Sequence, residues 1–225
     1  MVAPMSYFIT GTDTGVGKTH VTALLLRAFN EAGHPALGYK PLACGDRLDA
    51  ERLRAAGADP LVPIEVINPV FYRMPASPMA AALIENRVPD MAAVRAGFES
   101  LRARPGRVLV EGAGGWLVPV SATFSMADLA VDFRLPVIVV VNNRLGALNH
   151  TLLTVESVRA RGLSCAGLIL NQVADERDAA SISNRILLDQ LLPEVPVLAE
   201  VMHGDEVMDP EAVRQLVAAP SGPPG

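Results

Sequence analysis

The sequence has 225 residues, half of them hydrophobic, which suits one compact domain with a sizeable core and argues against extensive disorder. Its net charge of −5 provides no general attraction to nucleic acid or to an anionic membrane, so a polyanion would have to be bound by a few placed cations. Two isolated cysteines, the lack of a signal-peptide pattern and the lack of a membrane-length apolar run predict a soluble, reduced, cytoplasmic protein.

Segments of strand length alternate with longer helical patterns along the chain. Short apolar runs predict strands at 7–9, 35–40, 108–110, 136–141, 166–170 and 195–200. Longer amphipathic stretches predict helices at 19–30, 49–56, 78–85, 91–103, 149–161 and 210–218. This alternation predicts an α/β fold with a doubly wound, mostly parallel sheet and helices on both faces. Ligands of such sheets bind outside the carboxyl ends of the strands.

The clearest motif, Gly-Thr-Asp-Thr-Gly-Val-Gly-Lys-Thr, covers residues 11–19 between the first predicted strand and helix. Glycines let backbone N–H groups approach a phosphate closely, and the following helix start adds partial positive charge. In this pattern Lys18 reaches the β- and γ-phosphates, and the Thr19 hydroxyl ligates Mg²⁺. The first glycine comes one residue earlier than in the standard pattern, so a chance Gly-Lys-Thr is the alternative. The flanking strand and amphipathic helix favour the nucleotide loop.

The motif therefore predicts one ATP-binding domain of P-loop NTPase type over residues 1–225, with flexible ends at 1–5 and 220–225. We assign to nucleotide binding the loop residues Asp13, Thr14, Gly15, Val16, Gly17, Lys18 and Thr19.

Charged side chains follow two other predicted strands. Glu111 ends a buried strand and suits a carboxylate aimed at Mg²⁺, although a solvated strand end would look the same. Asp46 and Asp49 both follow the second strand. We favour Asp49 as the second carboxylate, with helix capping as its alternative role. Lys40 ends that strand and is expected to meet an anionic substrate, whereas Cys44 lies nearby without an activating base that the sequence identifies.

Four segments taken together resemble dethiobiotin synthetases in sequence and in order: residues 11–19, Gly-Tyr-Lys-Pro (38–41), Val-Glu-Gly-Ala-Gly-Gly (110–115) and Leu-Gly-Ala-Leu-Asn-His (145–150). Asn68-Pro69, followed by Pro75-Ala76-Ser77-Pro78, is also similar to the substrate-side segment of that family. The resemblance implies an ATP- and Mg²⁺-dependent ligase of biotin biosynthesis. Such an enzyme closes a ureido ring on 7,8-diaminopelargonic acid with CO₂, through a carbamate and its anhydride with phosphate. The products are dethiobiotin, ADP and phosphate.

The resemblance also implies residue roles. Lys18, Lys40 and Thr14 would be catalytic, and Asn171 would read the adenine. Thr19, Asp49 and Glu111 would hold Mg²⁺. The substrate would meet Lys40, Cys44, Gly114, Gly146, Ala147, Leu148 and Asn149. Residues 146–149 would bind the distal carboxylate at a helix start and would come from the neighbouring subunit, which implies a homodimer.

This sequence departs from the family pattern in several places. Cys44 stands where the family often has serine, and Gly15 stands where it often has glutamate. The segment between Lys40 and Asp49 is shorter than usual, and 199–204 lacks the Gly-Glu-Ile-Pro-like stretch expected near the nucleotide base.

Two other functions share the nucleotide loop. A related ligase acting on another small substrate, such as a tetrapyrrole amidotransferase, usually carries a further glutaminase domain. A nucleotide-switched partitioning ATPase often carries another lysine near the start of the loop and a surface for DNA or membrane. We expect 225 residues to be too few for an added glutaminase domain, which counts against the amidotransferase. Residues 12–16 contain no lysine and the net charge is negative, which counts against the partitioning ATPase.

Overall fold

The structure is a computed structural model that describes residues 5–176 and 178–218. The ends expected to be flexible, 1–5 and 220–225, fall outside these ranges except for Met5. The described strands are β1 (Tyr7–Gly11), β2 (Ala36–Tyr39), β3 (Leu42–Cys44), β4 (Val70–Tyr72), β5 (Arg107–Glu111), β6 (Pro119–Ser121), β7 (Phe124–Ser125), β8 (Val137–Asn142), β9 (Cys165–Asn171) and β10 (Val197–Val201). The described helices are α1 (Lys18–Glu31), α2 (Leu48–Ala56), α3 (Ile64–Ile67), α4 (Pro78–Ile84), α5 (Met91–Arg102), α6 (Met126–Phe133), α7 (Ala147–Ala160), α8 (Ala179–Leu191) and α9 (Pro210–Ala218).

A six-stranded parallel sheet forms the centre of the molecule, in the order β10-β9-β8-β1-β5-β2. The chain places β2 and β5 on one side of β1 and then crosses to the other side, where β8 pairs with β1. A reversal of this kind opens a crevice at the carboxyl ends of the strands. The predicted α/β, doubly wound parallel fold is confirmed. The small β3–β4 and β6–β7 pairs lie outside the central sheet.

Both faces of the sheet are covered, as strand β8 shows. Val137, Val139 and Val141 belong to one core cluster, and Ile138 and Val140 belong to the other. Helices α5, α6 and α7 supply the first cluster, whereas α1 and α9 supply the second. Each aliphatic side chain buried in this way stabilises the fold by about 1.5–3 kcal/mol. Within the described ranges, no helix is long and apolar enough to cross a membrane.

The predicted strands and helices are all present, with ends shifted by at most two residues. Helix α2 begins at Leu48, so Asp49 lies in its first turn, and Arg47 occupies the capping position instead. Helix α7 begins at Ala147, two residues before the prediction. The position of Asp49 leaves its carboxylate free for the site rather than for capping.

The sequence pattern missed helices α3, α6 and α8 and the β3–β4 and β6–β7 pairs. Helix α8 carries an inverted pattern: Ser181 and Asn184 are buried, whereas Ile182 and Ile186 are more than 60% exposed. Since helix prediction from periodicity assumes an apolar buried face, polar residues on that face hide the helix.

Candidate active site

Two glycines, and one side chain that is distant in sequence, determine the shape of the loop between β1 and α1. Gly15 and Gly17 have φ values of +75° and +86°, which L-residues with a side chain rarely adopt. The Asn171 side-chain amide donates a 2.8 Å hydrogen bond to the Val16 carbonyl. A Cβ on Gly17 would lie 2.1 Å from Asn171 Nδ2, so glycine is required there. Folding alone therefore sets the shape of this loop.

Lys18 lies across the loop and is only 7% exposed. Its Nζ donates to the Asp13 carbonyl at 3.2 Å. Burial and the neighbouring Lys40 ammonium lower the pKa of Lys18 to about 8, although nearby carboxylates oppose the shift. A desolvated ammonium directed at a phosphate loop is a strong anion ligand when protonated, because little water has to be displaced from it.

A charge cluster lies next to the loop, with the buried Lys40 at its centre and a partly exposed Asp49 at its edge. The Lys40 ammonium donates to Asp49 Oδ2 at 2.9 Å and to Glu111 Oε1 at 2.5 Å. The Thr19 hydroxyl donates to the same Glu111 oxygen at 2.7 Å. Burial alone would lower the pKa of Lys40, but the two carboxylates outweigh it and raise the pKa. Burial would likewise raise the pKa of Asp49, but the Lys40 ammonium holds it below its usual value.

The sheet brings this cluster together. Lys40 follows β2 and Glu111 ends β5, and these strands pair so that Tyr39 lies opposite Val110. The Lys40 backbone is fixed by Asn68, whose side-chain amide donates to the Lys40 carbonyl at 2.8 Å. Asn68 is completely buried, and the resemblance placed it in the substrate-side segment without assigning it a role of its own. Its contact with the Lys40 carbonyl depends on how the chain packs, so no sequence pattern indicates this role.

The donor set of the cluster fits Mg²⁺. Glu111 Oε2 is buried and has no hydrogen-bond partner among the described residues, so this carboxylate has an unused oxygen. Thr19 and Asp49 add a hydroxyl and a second carboxylate, the oxygen ligands that Mg²⁺ prefers. Within 5–176 and 178–218, no group of three or more His, Cys, Asp or Glu could hold a metal. Nucleotide phosphates would therefore have to complete the coordination.

Two further predicted residues lie on the glycine-rich segment after β5 and on β3. A Cβ on Gly114 would come within 3.3 Å of Thr14 Oγ1, so the two predicted residues are neighbours. Cys44 ends β3 and is half-buried. Burial and the Glu85 carboxylate raise the pKa of the Cys44 thiol despite Lys40, so it stays protonated at neutral pH and is a poor nucleophile.

The predicted substrate segment 146–149 forms the open start of α7. Gly146 has a φ of +93° and no side chain caps the helix. Gly146 and Asn149 are exposed. Among the described residues, no hydrogen bond joins the segment to the Lys40 cluster. The preceding turn is anchored by Asp178, which accepts from the Leu145 backbone at 2.7 Å.

These features define a P-loop nucleotide-binding protein, and similarity to solved structures agrees. The MinD protein in the MinC:MinD complex of Aquifex aeolicus has a TM-score of 0.56 and 16% identity, over 94% of this chain and 85% of that chain. FtsY of Thermotoga maritima has a TM-score of 0.52 and 18% identity, over 96% and 69%. At such identities the likeness shows the fold alone.

Sequence relatives define the family. A family model described as an AAA domain matches residues 5–211. The ATP-dependent dethiobiotin synthetase BioD of Akkermansia muciniphila is 44% identical over 204 residues, 91% of this chain and 95% of its own. The protein of the same name from Anaeromyxobacter dehalogenans is 42% identical over 216 residues, 94% and 96% of the two chains. The chain belongs to the dethiobiotin synthetase family, and the resemblance seen in the sequence is confirmed.

Proposed function

We propose that this chain is an ATP-dependent dethiobiotin synthetase that closes a ureido ring on 7,8-diaminopelargonic acid with CO₂. The names of its relatives support the activity, because the chain covers nearly their whole length. The site supports the chemistry, because it places two lysines and two carboxylates beside a phosphate loop.

One observation carries this proposal: the Lys40 ammonium is buried between Asp49 and Glu111, next to Lys18 and Thr19. Burying a lysine is unfavourable unless it is paired, and the pair with Glu111 is itself fully enclosed. A partitioning ATPase would carry its second lysine near the start of the loop, whereas Lys40 follows β2 beside the loop. An enzyme that transfers phosphate to a carbamate needs a cation where the acceptor anion binds.

The chain's own residues have distinct tasks in the reaction. The backbone N–H groups of 13–19 and the Lys18 ammonium would bind and orient the triphosphate. Lys40 would bind the carbamate. One carbamate oxygen would then attack the γ-phosphorus while ADP leaves. The second amine then attacks the carbamate carbon, phosphate leaves, and the amine loses its proton. Thr14 would contact the transferring group from the loop.

Thr19, Asp49 and Glu111 would hold Mg²⁺. The ion would neutralise charge on the phosphate oxygens during transfer. Asn171 supports the loop through Val16, and its proposed contact with adenine would use the remaining side of the amide.

We further propose a cytoplasmic homodimer in which residues 146–149 of a second copy bind the distal carboxylate of the substrate. The uncapped start of α7 supports this arrangement, because the Leu148 and Asn149 N–H groups have no partner among the described residues and can bind an anion, whereas the Ala147 N–H donates to the Arg144 carbonyl. Cys44 and Gly114 would line the substrate side of the site.

The decisive assay supplies ATP, Mg²⁺ and bicarbonate to the purified protein, with and without 7,8-diaminopelargonic acid, and follows phosphate release and ring formation. We expect about one phosphate per ring formed, and little release without the diamine. Release that ignores the diamine but responds to DNA or lipid would instead indicate a partitioning ATPase. Release without ring formation would point to another small substrate.

A further inference from the structure

A cavity of about 660 Å³ is rich in guanidinium groups and contains none of the residues assigned to catalysis. Its size lies within the usual range for small-molecule sites. The residues that line it are Arg47, Phe71, Arg73, Met74, Pro75, Glu85 and Arg87. Three cations and one carboxylate face one space, so the cavity carries an excess of positive charge on a protein whose net charge is −5.

Two of the arginines are already oriented by aromatic neighbours. The Arg47 guanidinium carbon lies 4.9 Å from the Phe71 ring centroid, and that of Arg87 lies 4.4 Å from the Tyr72 centroid. Arg87 also donates to the Phe71 carbonyl. Stacking fixes the plane of a guanidinium and leaves N–H groups at its edge available for a carboxylate or a phosphate.

These arginines are weakly paired. Arg47 Nη1 lies 3.5 Å from a largely exposed Glu65, and Arg47 Nε is buried without a partner among the described residues. Arg73 makes no hydrogen bond or ion pair with the described part of the chain. One Glu85 oxygen accepts a hydrogen bond from the Met74 backbone N–H at 2.9 Å, and the other lies 4.0 Å from Arg87 Nη2. N–H donors of these arginines therefore remain available for a ligand.

We propose that this cavity binds a small dianion that carries phosphate or carboxylate groups, through Arg47, Arg73 and Arg87. The site is separate from the phosphate loop and does not depend on the proposed ring-closing activity. Its position links it to the charge cluster: Arg47 immediately precedes α2, and Asp49 in the first turn of α2 contacts Lys40. An anion held by Arg47 would thus stabilise the start of the helix that carries Asp49.

The test measures binding by calorimetry to protein saturated with Mg²⁺ and a non-hydrolysable ATP analogue, so that the phosphate loop is filled. Inorganic phosphate and succinate are titrated separately, because they represent the phosphate and the carboxylate sources of the shared chemistry. We expect at least one of them to bind with saturation and to raise the melting temperature. Failure of both to bind would overturn the proposal.

Variants locate the binding. Arg73→Ala should weaken binding about tenfold, because it removes a charge-assisted contact, while leaving affinity for the ATP analogue unchanged. Arg47→Ala should weaken binding as well. Arg27→Ala removes the same charge from an exposed position on α1 and should have no effect. Equal affinity in Arg73→Ala and the unaltered protein would sink the site, and so would competition by 7,8-diaminopelargonic acid, because the cavity would then belong to the substrate.

Discussion

Two helices of this protein begin at left-handed glycines, yet their surroundings are opposite. Gly17 precedes α1 with a φ of +86°, Gly146 precedes α7 with a φ of +93°, and neither helix has a side-chain cap. Their strands, β1 and β8, are neighbours in the sheet. A Cβ on Gly17 would lie 2.1 Å from Asn171 Nδ2, whereas a Cβ on Gly146 would meet no described atom within 4 Å.

The comparison shows that one backbone geometry can serve an enclosed site and an open one. The start of α1 is held by Asn171 and contains the buried Lys18, so folding completes it. At the start of α7 the Leu148 and Asn149 N–H groups have no partner among the described residues, so water, a ligand or a second copy of the chain can pair with them. Changes at the first site should act on phosphate chemistry, and changes at the second on the substrate.

The largest expected effect is at the enclosed site. Lys18→Ala removes the buried ammonium from the phosphate loop and should lower turnover by about 100- to 1000-fold, the scale seen when one preorganised charge donor is lost. The measurement is steady-state phosphate release with diamine and bicarbonate present. Arg27→Ala, which removes an exposed cation from the same helix, serves as the control. If Lys18→Ala kept near-normal rates with intact folding, the loop would not be the site.

Lys40→Ala should lower kcat about 100-fold and change ATP affinity much less, because Lys40 is proposed to meet the carbamate rather than the triphosphate. It also leaves Glu111 buried without its cation, which should cost about 3–5 kcal/mol of stability. Mg²⁺ should restore part of that loss, so the metal should raise the melting temperature more in the variant than in the unaltered protein. Unchanged kinetics would remove Lys40 from the mechanism.

The two glycines provide a matched pair of substitutions. Gly17→Ala adds strain and a clash with Asn171, which should cost about 3 kcal/mol and abolish ATP binding. Gly146→Ala adds strain alone, about 1 kcal/mol, and should keep ATP binding while raising the KM for the diamine. Chemical denaturation and calorimetry with ATP measure both. Equal stability losses would mean that the described surroundings do not distinguish the two helix starts.

The sequence predicts the parts of the site that are local or that end strands. The loop is nine consecutive residues, and Lys40 and Glu111 could be placed because carboxyl ends of parallel strands meet at one edge. The supports could not be predicted. Asn171 and Val16 are 155 positions apart, and Asn68 acts through the Lys40 carbonyl. Such contacts depend on how loops pack, which no periodicity encodes.

The smallest effect needs no substitution. Since burial and Lys40 lower the pKa of Lys18 to about 8, its protonated fraction falls as the pH rises through that value. A triphosphate selects the protonated form, so metal-free ATP affinity should fall by up to about eightfold between pH 7.5 and 9, with proton uptake on binding. Calorimetry in EDTA, in buffers of different ionisation heat, measures both quantities. Lys18→Arg, which stays charged, should bind ATP independently of pH in this range, and an equal slope in that variant would assign the titration to another group.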